Sequence, residues 1–565
     1  MKTLPEVDAV IAGGGWAGLL MAKELGVRTS MRVVVLERGG PRKNSDYVDG
    51  MDELDNAIRF RMMQDPSRET VTFRHNSSGK ALPMRQFASF LPGTGVGGAG
   101  EHWNGMLFRF QPDAFELVRR TVERYGASKM PEGHSCQDWG IRYDELEPYY
   151  SAAESLVGAS GETGANPFEG ARSAPFPTPP MKPSYFNSVF RKAAESLGYH
   201  PYSMPSANLS QAYRNPDGVI RAGCQYCGFC ERFGCMVGAK AQPVNTLLPV
   251  IQKRKNVELR TDANVRRITH EGGKATGVTY VNQRGEEFFQ PARKVFLASW
   301  TLSNTRLLLL SKLGRPYDPA TGKGVVGRNL THQAITISHL FFDKPLNAFM
   351  GSGADGIAMA DFDGDNFDHS SLDFIRGGNM FAVTTGLRPI ANFGVIENPP
   401  KRNWGAAWKK AAIASYDHVG ALQITGEHLS YRANYMDLDP TYRDAHGDPL
   451  LRMTIDWQDN EHRLIRHLSA KLGEIGKAMG ARTVRPRPFG KYDANTYRST
   501  HIQGGTIMGN SPETSVVNTD LQMWDAPNVY LLGASAFPQN ASGNPTLTVM
   551  ALVLRTANHI IRPGM

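Results

Sequence analysis

Two stretches of the chain combine residue types and spacings that could do chemistry. The first is VDAVIAGGGWAGLLMAKELGVRTSMRVVVLERG, where Gly13, Gly15 and Gly18 fill a G-x-G-x-x-G pattern. A short apolar strand (Val7, Ala9, Val10, Ile11) precedes it, a helical period (Leu19, Leu20, Ala22, Leu25) follows, and a second strand, Arg32 to Leu36, ends in Glu37. Gly13 allows the tight turn, Gly15 lets a pyrophosphate reach the backbone, Gly18 lets helix and strand pack closely, and the helix N-terminus faces the anion. Glu37 stands where an acid accepts hydrogen bonds from a ribose. The unit suits NAD and FAD alike.

The second stretch, GCQYCGFCERFGCMVGAK, holds Cys224, Cys227, Cys230 and Cys235 as C-x2-C-x2-C-x4-C, twelve residues in all. Two disulfides in so short a run would gain little and crowd their geometry. Thiolate–metal ligation suits the spacing better. Structural zinc usually joins two cysteine pairs across a longer gap, whereas packed cysteines with glycines and aromatics between them suit an iron–sulfur cluster. Zinc stays open as the alternative. Cys136 lies apart and is expected to be a structural thiol.

The surrounding chain sets the limits. Its 565 residues imply two domains or one elaborated by insertions, and 41% hydrophobic with 21% charged residues is ordinary for a soluble globular protein. No run of about 18 apolar residues suggests a membrane span, and MKTLPEVD shows neither an apolar signal core nor twin arginines. The net charge of +9 is spread thinly, without the basic, aromatic-laced blocks of nucleic-acid binders, so an acidic protein partner or a membrane surface is its expected use.

The next informative stretch runs from Leu91 to Arg109, LPGTGVGGAGEHWNGMLFR. No strand precedes its glycines and no helical period follows, so it is not a second dinucleotide fold. Gly95, Gly97 and Gly98 suit a backbone lying against a flat ligand, and Trp103 and Phe108 argue against a merely flexible loop. An N-terminal dinucleotide unit followed by such a segment resembles the glucose-methanol-choline (GMC) oxidoreductases, which are FAD enzymes. The resemblance implies FAD here, with His102, five residues after Gly97, as a point of covalent attachment or simply a packed histidine. It also implies that Trp103, Asn104, Val265, Gly533, Ala534, Asn544 and Pro545 border the cofactor. The cysteine run narrows the likeness to flavoprotein subunits of bacterial membrane-bound gluconate, fructose and related sugar dehydrogenases. Relatives of that kind hold three-iron clusters on three cysteines, which leaves 3Fe-4S and 4Fe-4S both open for the four here.

The implied fold class is α/β, with an FAD-binding Rossmann-like domain and a substrate domain of mostly antiparallel sheet and helices. Residues 1–330 would form the FAD domain, 331–490 the substrate domain, and 491–565 the return to the FAD domain. The stretch 130–222 reads as turns and linkers acting as a lid. Its prolines (Pro175, Pro177, Pro179, Pro180, Pro183) make an extended connection, and a helix follows with Tyr185, Val189, Phe190, Ala193 and Leu197 on one face. Strands are expected at Val257–Leu259, Val265–Thr269, Ala275–Val281 and Val295–Ala298, then a helix from Asn304. Trp300 stands where the family commonly has glycine, and Gly327 to Leu330 resemble its G-R-N-L motif. Further strands are expected at Ile335–Phe342, Ala382–Thr385, His418–Thr425 and Leu450–Trp457. DLDPTYRDAHGDPLLRM reads as a hairpin rather than a calcium loop, and Asn460 as the cap of a helix with Leu464, Leu468, Leu472 and Ile475 inward. PPKRNWGAAWKKAA reads as a solvated insertion, with a docking loop as the alternative.

Near the C-terminus His501 opens H-x-x-G-G-x-x-M-G, and Asn544 sits in a glycine- and proline-bounded turn before a helix. This resembles the family's catalytic pair, so by likeness His501 is the base and Asn544 holds the alcohol oxygen. Gly533 replaces an aspartate frequent in the family. The implied reaction is hydride transfer from a sugar, glycoside or sugar acid to flavin N5, with a cluster passing electrons to a cytochrome-type acceptor. The implied partners are a small subunit carrying an export signal and a membrane-attached cytochrome c. The implied place is the periplasmic face of the cytoplasmic membrane, with a cytoplasmic enzyme as the alternative. An oxygen-using oxidase with structural zinc and a non-redox lyase are the competing functions.

Overall fold

Strand Val7–Ala12 is buried at every residue but Asp8, which is why its sequence runs apolar without alternation: it lies inside a sheet whose faces are both covered. The computed structural model describes residues 1–47, 53–54, 65–67, 69–85, 92–382, 393–490 and 500–562. Within this sheet the order is Asn264–Glu271, Lys274–Val281, Glu287–Leu297, Val7–Ala12, Val33–Leu36 and Val257–Arg260. The first half of Glu287–Leu297 runs antiparallel to Lys274–Val281. Its second half runs parallel to both Val7–Ala12 and Val529–Leu531, with Val295 opposite Val10 on one side and Val529 on the other.

Helix Trp16–Arg28 departs from the expected one-sided stripe, since every residue from Trp16 to Gly26 is buried. The C-terminal helix Thr546–Ile561 packs on it, and Lys23 tolerates burial by pairing with Glu24 at 2.7 Å and Asp217 at 3.0 Å. The same C-terminal helix packs on Tyr143–Val157, so the stretch 130–222 supplies core as well as linkers: Trp139 and Tyr150 are fully buried. In helix Tyr185–Ser196 the inward face is Phe186, Phe190, Ala193 and Ala194, while Tyr185 and Leu197 are exposed. Ser184 sets that phase as the N-cap, its hydroxyl accepting from the Asn187 amide.

A second, wholly antiparallel sheet runs Thr483–Pro486, Ala334–Phe341, Val419–Gly426, Gly378–Ala382, Ile357–Met359 and Pro201–Ser203. Helix Asp459–Ala478 packs on it through Leu464, Leu468, Leu472 and Ile475. Its cap is Gln458, not Asn460, whose side chain turns inward to hold Ile375 by both backbone groups. The expected strand at 382–385 ends at Ala382; Val383–Thr385, like Leu91, lies outside the described residues. Tyr435–Arg443 and Pro449–Thr454 form the hairpin, and its acids face arginines: Asp448 pairs with Arg266 and Arg267, Asp444 with Arg306. Helix Thr301–Leu310 starts three residues earlier than expected, and Asn304 accepts from the Ser299 amide at 3.0 Å, holding the turn that Trp300 occupies in place of glycine. Of the basic insertion, Ala406–Tyr416 is a helix, with Trp404 exposed. Among the described residues no helix is long and apolar enough to cross a membrane.

Candidate active site

A cavity of about 860 Å³ opens at the carboxyl ends of the parallel strands and extends to the antiparallel sheet. The Gly13–Gly15 turn, Glu37, Gly97, Gly98, His102, Trp103, Asn104, Val265, Gly533, Ala534, His501, Asn544 and Pro545 all border it. Fourteen of the residues singled out in the sequence are thus brought to one wall system, from segments more than five hundred residues apart.

The glycines divide by physical cause. A Cβ on Gly13, held at φ 110°, would meet the Ala298 carbonyl oxygen at 2.6 Å, and one on Gly18 would lie 1.9 Å from the Gly13 oxygen. Neither clash can relax without moving backbone. A Cβ on Gly15 would have its nearest protein neighbour at 3.8 Å, so nothing in the protein itself demands a glycine there. Open space above that turn, where a side chain would otherwise project, fits a pyrophosphate lying on it. Gly18→Ala is therefore expected to destabilise the fold by about 1–3 kcal/mol or more, as overpacking does, and to yield flavin-poor protein; thermal unfolding and the flavin-to-protein absorbance ratio measure both.

Glu37 is buried, and its carboxylate accepts from the Gly14 and Gly39 amides at 2.9 Å and from Gly95 at 3.2 Å. With Gly97 donating to the Gly14 oxygen at 2.7 Å, it ties the second glycine stretch onto the first. Gly95, Gly97 and Gly98 all hold positive φ, the backbone freedom that this close approach needs. The cradle fits the adenosine diphosphate half of a dinucleotide. Next in the chain, the buried His102 faces the cavity, and Trp103 packs edge-on against Trp16 and donates from its indole to Ala241 at 2.8 Å.

Cys224, Cys227, Cys230 and Cys235 are all free thiols. They stand close enough to act on one another electrically, and burial pushes Cys224 up to about 12 and Cys230 to about 11. Among the described residues no three Cys, His, Asp or Glu side chains converge on a common metal position, so the cysteines are neighbours rather than a finished ligand shell. Two features of their surroundings fit an anionic thiolate group. The fully buried Lys240 donates to the carbonyls of Trp103 (2.6 Å), Phe233 (2.7 Å) and Cys230 (2.8 Å), and the buried Arg221, near Cys235, donates to Ala239; neither pairs with a carboxylate among the described residues. The run also joins the cavity wall, since the Arg232 amide donates to the His102 carbonyl at 2.7 Å. Cys136 sits apart, on the Ser430 carbonyl.

His501 is positioned by strand pairing. Ile502–Gln503 lies antiparallel to Thr331–His332, and Gly504, at φ 88°, turns the chain where a Cβ would strike the Asn329 oxygen at 1.8 Å. The ring's Nδ1 meets the side-chain oxygen of Gln333, and Nε2 lies 3.2 Å from Asn544 Nδ2. Asn544 stands at the last position before Pro545, the N-cap of the C-terminal helix. Burial draws the His501 pKa down to about 4, so the ring is neutral at physiological pH and one of its nitrogens carries a lone pair. The pair expected from the sequence meets; Gln333 was missed, because nothing in the local text around it distinguishes it from a core polar residue.

The GMC oxidoreductase models match residues 136–335 and 430–552, more than half of the chain. The gluconate 2-dehydrogenase flavoprotein of Pantoea cypripedii is 44% identical over 99% of this chain and 94% of its own length. The fructose dehydrogenase large subunit of Gluconobacter japonicus is 26% identical over 98% of this chain and 97% of its own. A crystal structure of pyridoxine 4-oxidase superposes with a TM-score of 0.61 over 98% of both chains at 18% identity, a likeness of fold alone. Matched by its family's models over residues 136–335 and 430–552, and built around a glycine cradle that opens onto a histidine–asparagine pair, the chain belongs to the GMC oxidoreductases and is an FAD-dependent enzyme acting on CH–OH groups.

Proposed function

We propose that this enzyme oxidises a hydroxyl of a sugar acid of the gluconate type and exports the electrons to a one-electron acceptor. The observation that carries the reading is the pairing of His501 Nε2 with Asn544 Nδ2 on the wall of the cavity that also contains the glycine cradle. A substrate hydroxyl placed between them gives its proton to the Nε2 lone pair while the Asn544 amide donates to its oxygen. The alcohol carbon is then activated to lose hydride, and the charge forming on the oxygen is met by a fixed donor. FAD in the cradle supplies the acceptor for that hydride. His102, buried on the same wall, is the proposed attachment point, and acid precipitation separates linked from dissociable flavin. Residues 1–330, 331–490 and 491–565 are the proposed division into FAD domain, substrate domain and FAD-domain return.

Cys224, Cys227, Cys230 and Cys235 would hold an iron–sulfur cluster, 3Fe-4S or 4Fe-4S, which there would supply one-electron conduction away from the cavity. Soft thiolate donors, the buried cations Lys240 and Arg221, and the hydrogen bonds to the His102–Trp103 stretch support this placement. A relative named a large subunit supports a small companion subunit here too. A membrane-attached cytochrome c at the periplasmic face is the acceptor proposed to complete the route. The test is anaerobic reduction of the flavin by a panel of sugar acids, sugars and glycosides, with metal analysis and a visible spectrum. Reduction by gluconate with iron present supports the reading. No reduction by any sugar acid overturns the substrate, and zinc without iron turns the reading to an oxygen-using oxidase. Fractionating cells that express the chain with and without its genomic neighbours tests the location; activity that stays cytoplasmic throughout overturns the companion subunit.

A further inference from the structure

We infer that Gln333 is the positioning residue that fixes which nitrogen of His501 is the base, and that it sets His501 and Asn544 in one frame. The inference rests on the reading of His501 as the base. Antiparallel pairing puts His332 opposite Ile502, so Gln333, which follows the one, and His501, which precedes the other, come face to face. Gln333 is fully buried. Its Nε2 donates to the carbonyls of Ala541 and Gly543, the latter at 2.7 Å. Carbonyl oxygens only accept, so those two contacts decide the orientation of the amide: nitrogen toward 541–543, oxygen toward His501.

An amide oxygen has no proton to give. His501 Nδ1 must therefore carry the hydrogen, and the lone pair is left on Nε2, the nitrogen beside Asn544. The acceptor is neutral, unlike the carboxylate that backs the histidine of a Ser-His-Asp triad. It orients the ring without offering the imidazolium a counter-charge, which agrees with a base held well below the ordinary histidine range; the neighbouring His332 is likewise buried and held low. The same side chain grips the carbonyl immediately before Asn544, so one residue sets the spacing of both members of the pair.

The experiment measures the rate of anaerobic flavin reduction against pH in the flavin-loaded enzyme and in Gln333→Leu, Gln333→Glu and His501→Ala. Loss of the tautomer bias in Gln333→Leu should lower the saturating rate at least about tenfold, with the half-saturating substrate concentration and flavin content little changed. Gln333→Glu puts a carboxylate beside Nδ1–H, which stabilises the imidazolium and should move the rising limb of the pH profile upward by about one unit or more. A purely structural role would lower flavin content and stability in both variants and leave the limb in place. Wild-type rates and an unmoved limb in both Gln333 variants, beside a slow His501→Ala, overturn this inference alone. A His501→Ala enzyme running at the wild-type rate overturns it together with the reading of the base.

Discussion

His501→Ala should reduce its flavin about 100- to 10,000-fold more slowly than the parent enzyme, the range that general-base catalysis contributes, while still binding FAD. Burial holds His501 neutral, so above about pH 4 the native ring is a ready acceptor for the hydroxyl proton. Alanine leaves that proton with no acceptor at Nε2, and the alcohol must lose hydride without deprotonation. The cradle is built from other segments, the turns around Gly13, Gly97 and Glu37, which is why flavin content should survive. Asn544→Ala removes a donor and not the base, so it should slow the same step by less. Stopped-flow reduction under anaerobic conditions reads both, and near-normal rates in His501→Ala would sink the assignment.

The second large effect is expected at the cysteines. On the proposed reading of the cysteines as cluster ligands, Cys230→Ser should remove the cluster's iron and electron-paramagnetic signal and collapse turnover with the proposed one-electron acceptor, yet leave reduction of the flavin by substrate close to normal. Cys230 is the buried member of the run, with its carbonyl held by Lys240, and serine nearly matches its volume. The substitution therefore changes the donor atom and little else. A variant that keeps the parent's iron content and signal would remove Cys230 from the ligand set, and the same experiment on Cys227 tests its neighbour.

What the sequence disclosed about this site follows from where each constraint acts. Gly18 was legible because its demand is local, the Gly13 carbonyl five residues back leaving no room for a Cβ. Gly13 was legible only through the G-x-G-x-x-G pattern, since the carbonyl that excludes its Cβ belongs to the distant Ala298. His501 and Asn544 were legible through the family likeness of the motifs around them. Gln333 was not, because its role arises only when Thr331–His332 pairs with Ile502–Gln503, 168 residues away from His501 in the chain. Tertiary context also overrode periodicity in the helices. From Trp16 to Gly26, helix Trp16–Arg28 has no solvent face to mark, since a second helix covers the side that a surface helix would leave polar. Asn460 looked like a cap, and the backbone of Ile375 claimed its side chain instead.

The strand Glu287–Leu297, flanked by Val7–Ala12 and Val529–Leu531, has a consequence for how the protein is made. The three strands lie hundreds of residues apart in the chain, and the C-terminal helix then packs on helix Trp16–Arg28, which follows the first of them. Such contacts are as non-local as this length allows, and loop-closure entropy makes them slow to form. The ribosome must release residue 531 before Glu287–Leu297 gains its neighbour on that side, and residue 561 before the apolar helix Trp16–Arg28 is covered by its partner helix. A nascent chain stalled at residue 500 should remain protease-sensitive in its first 40 residues, bind chaperones and hold no flavin. Loading of the cofactor is then a late, post-translational event, completed when the last strand arrives.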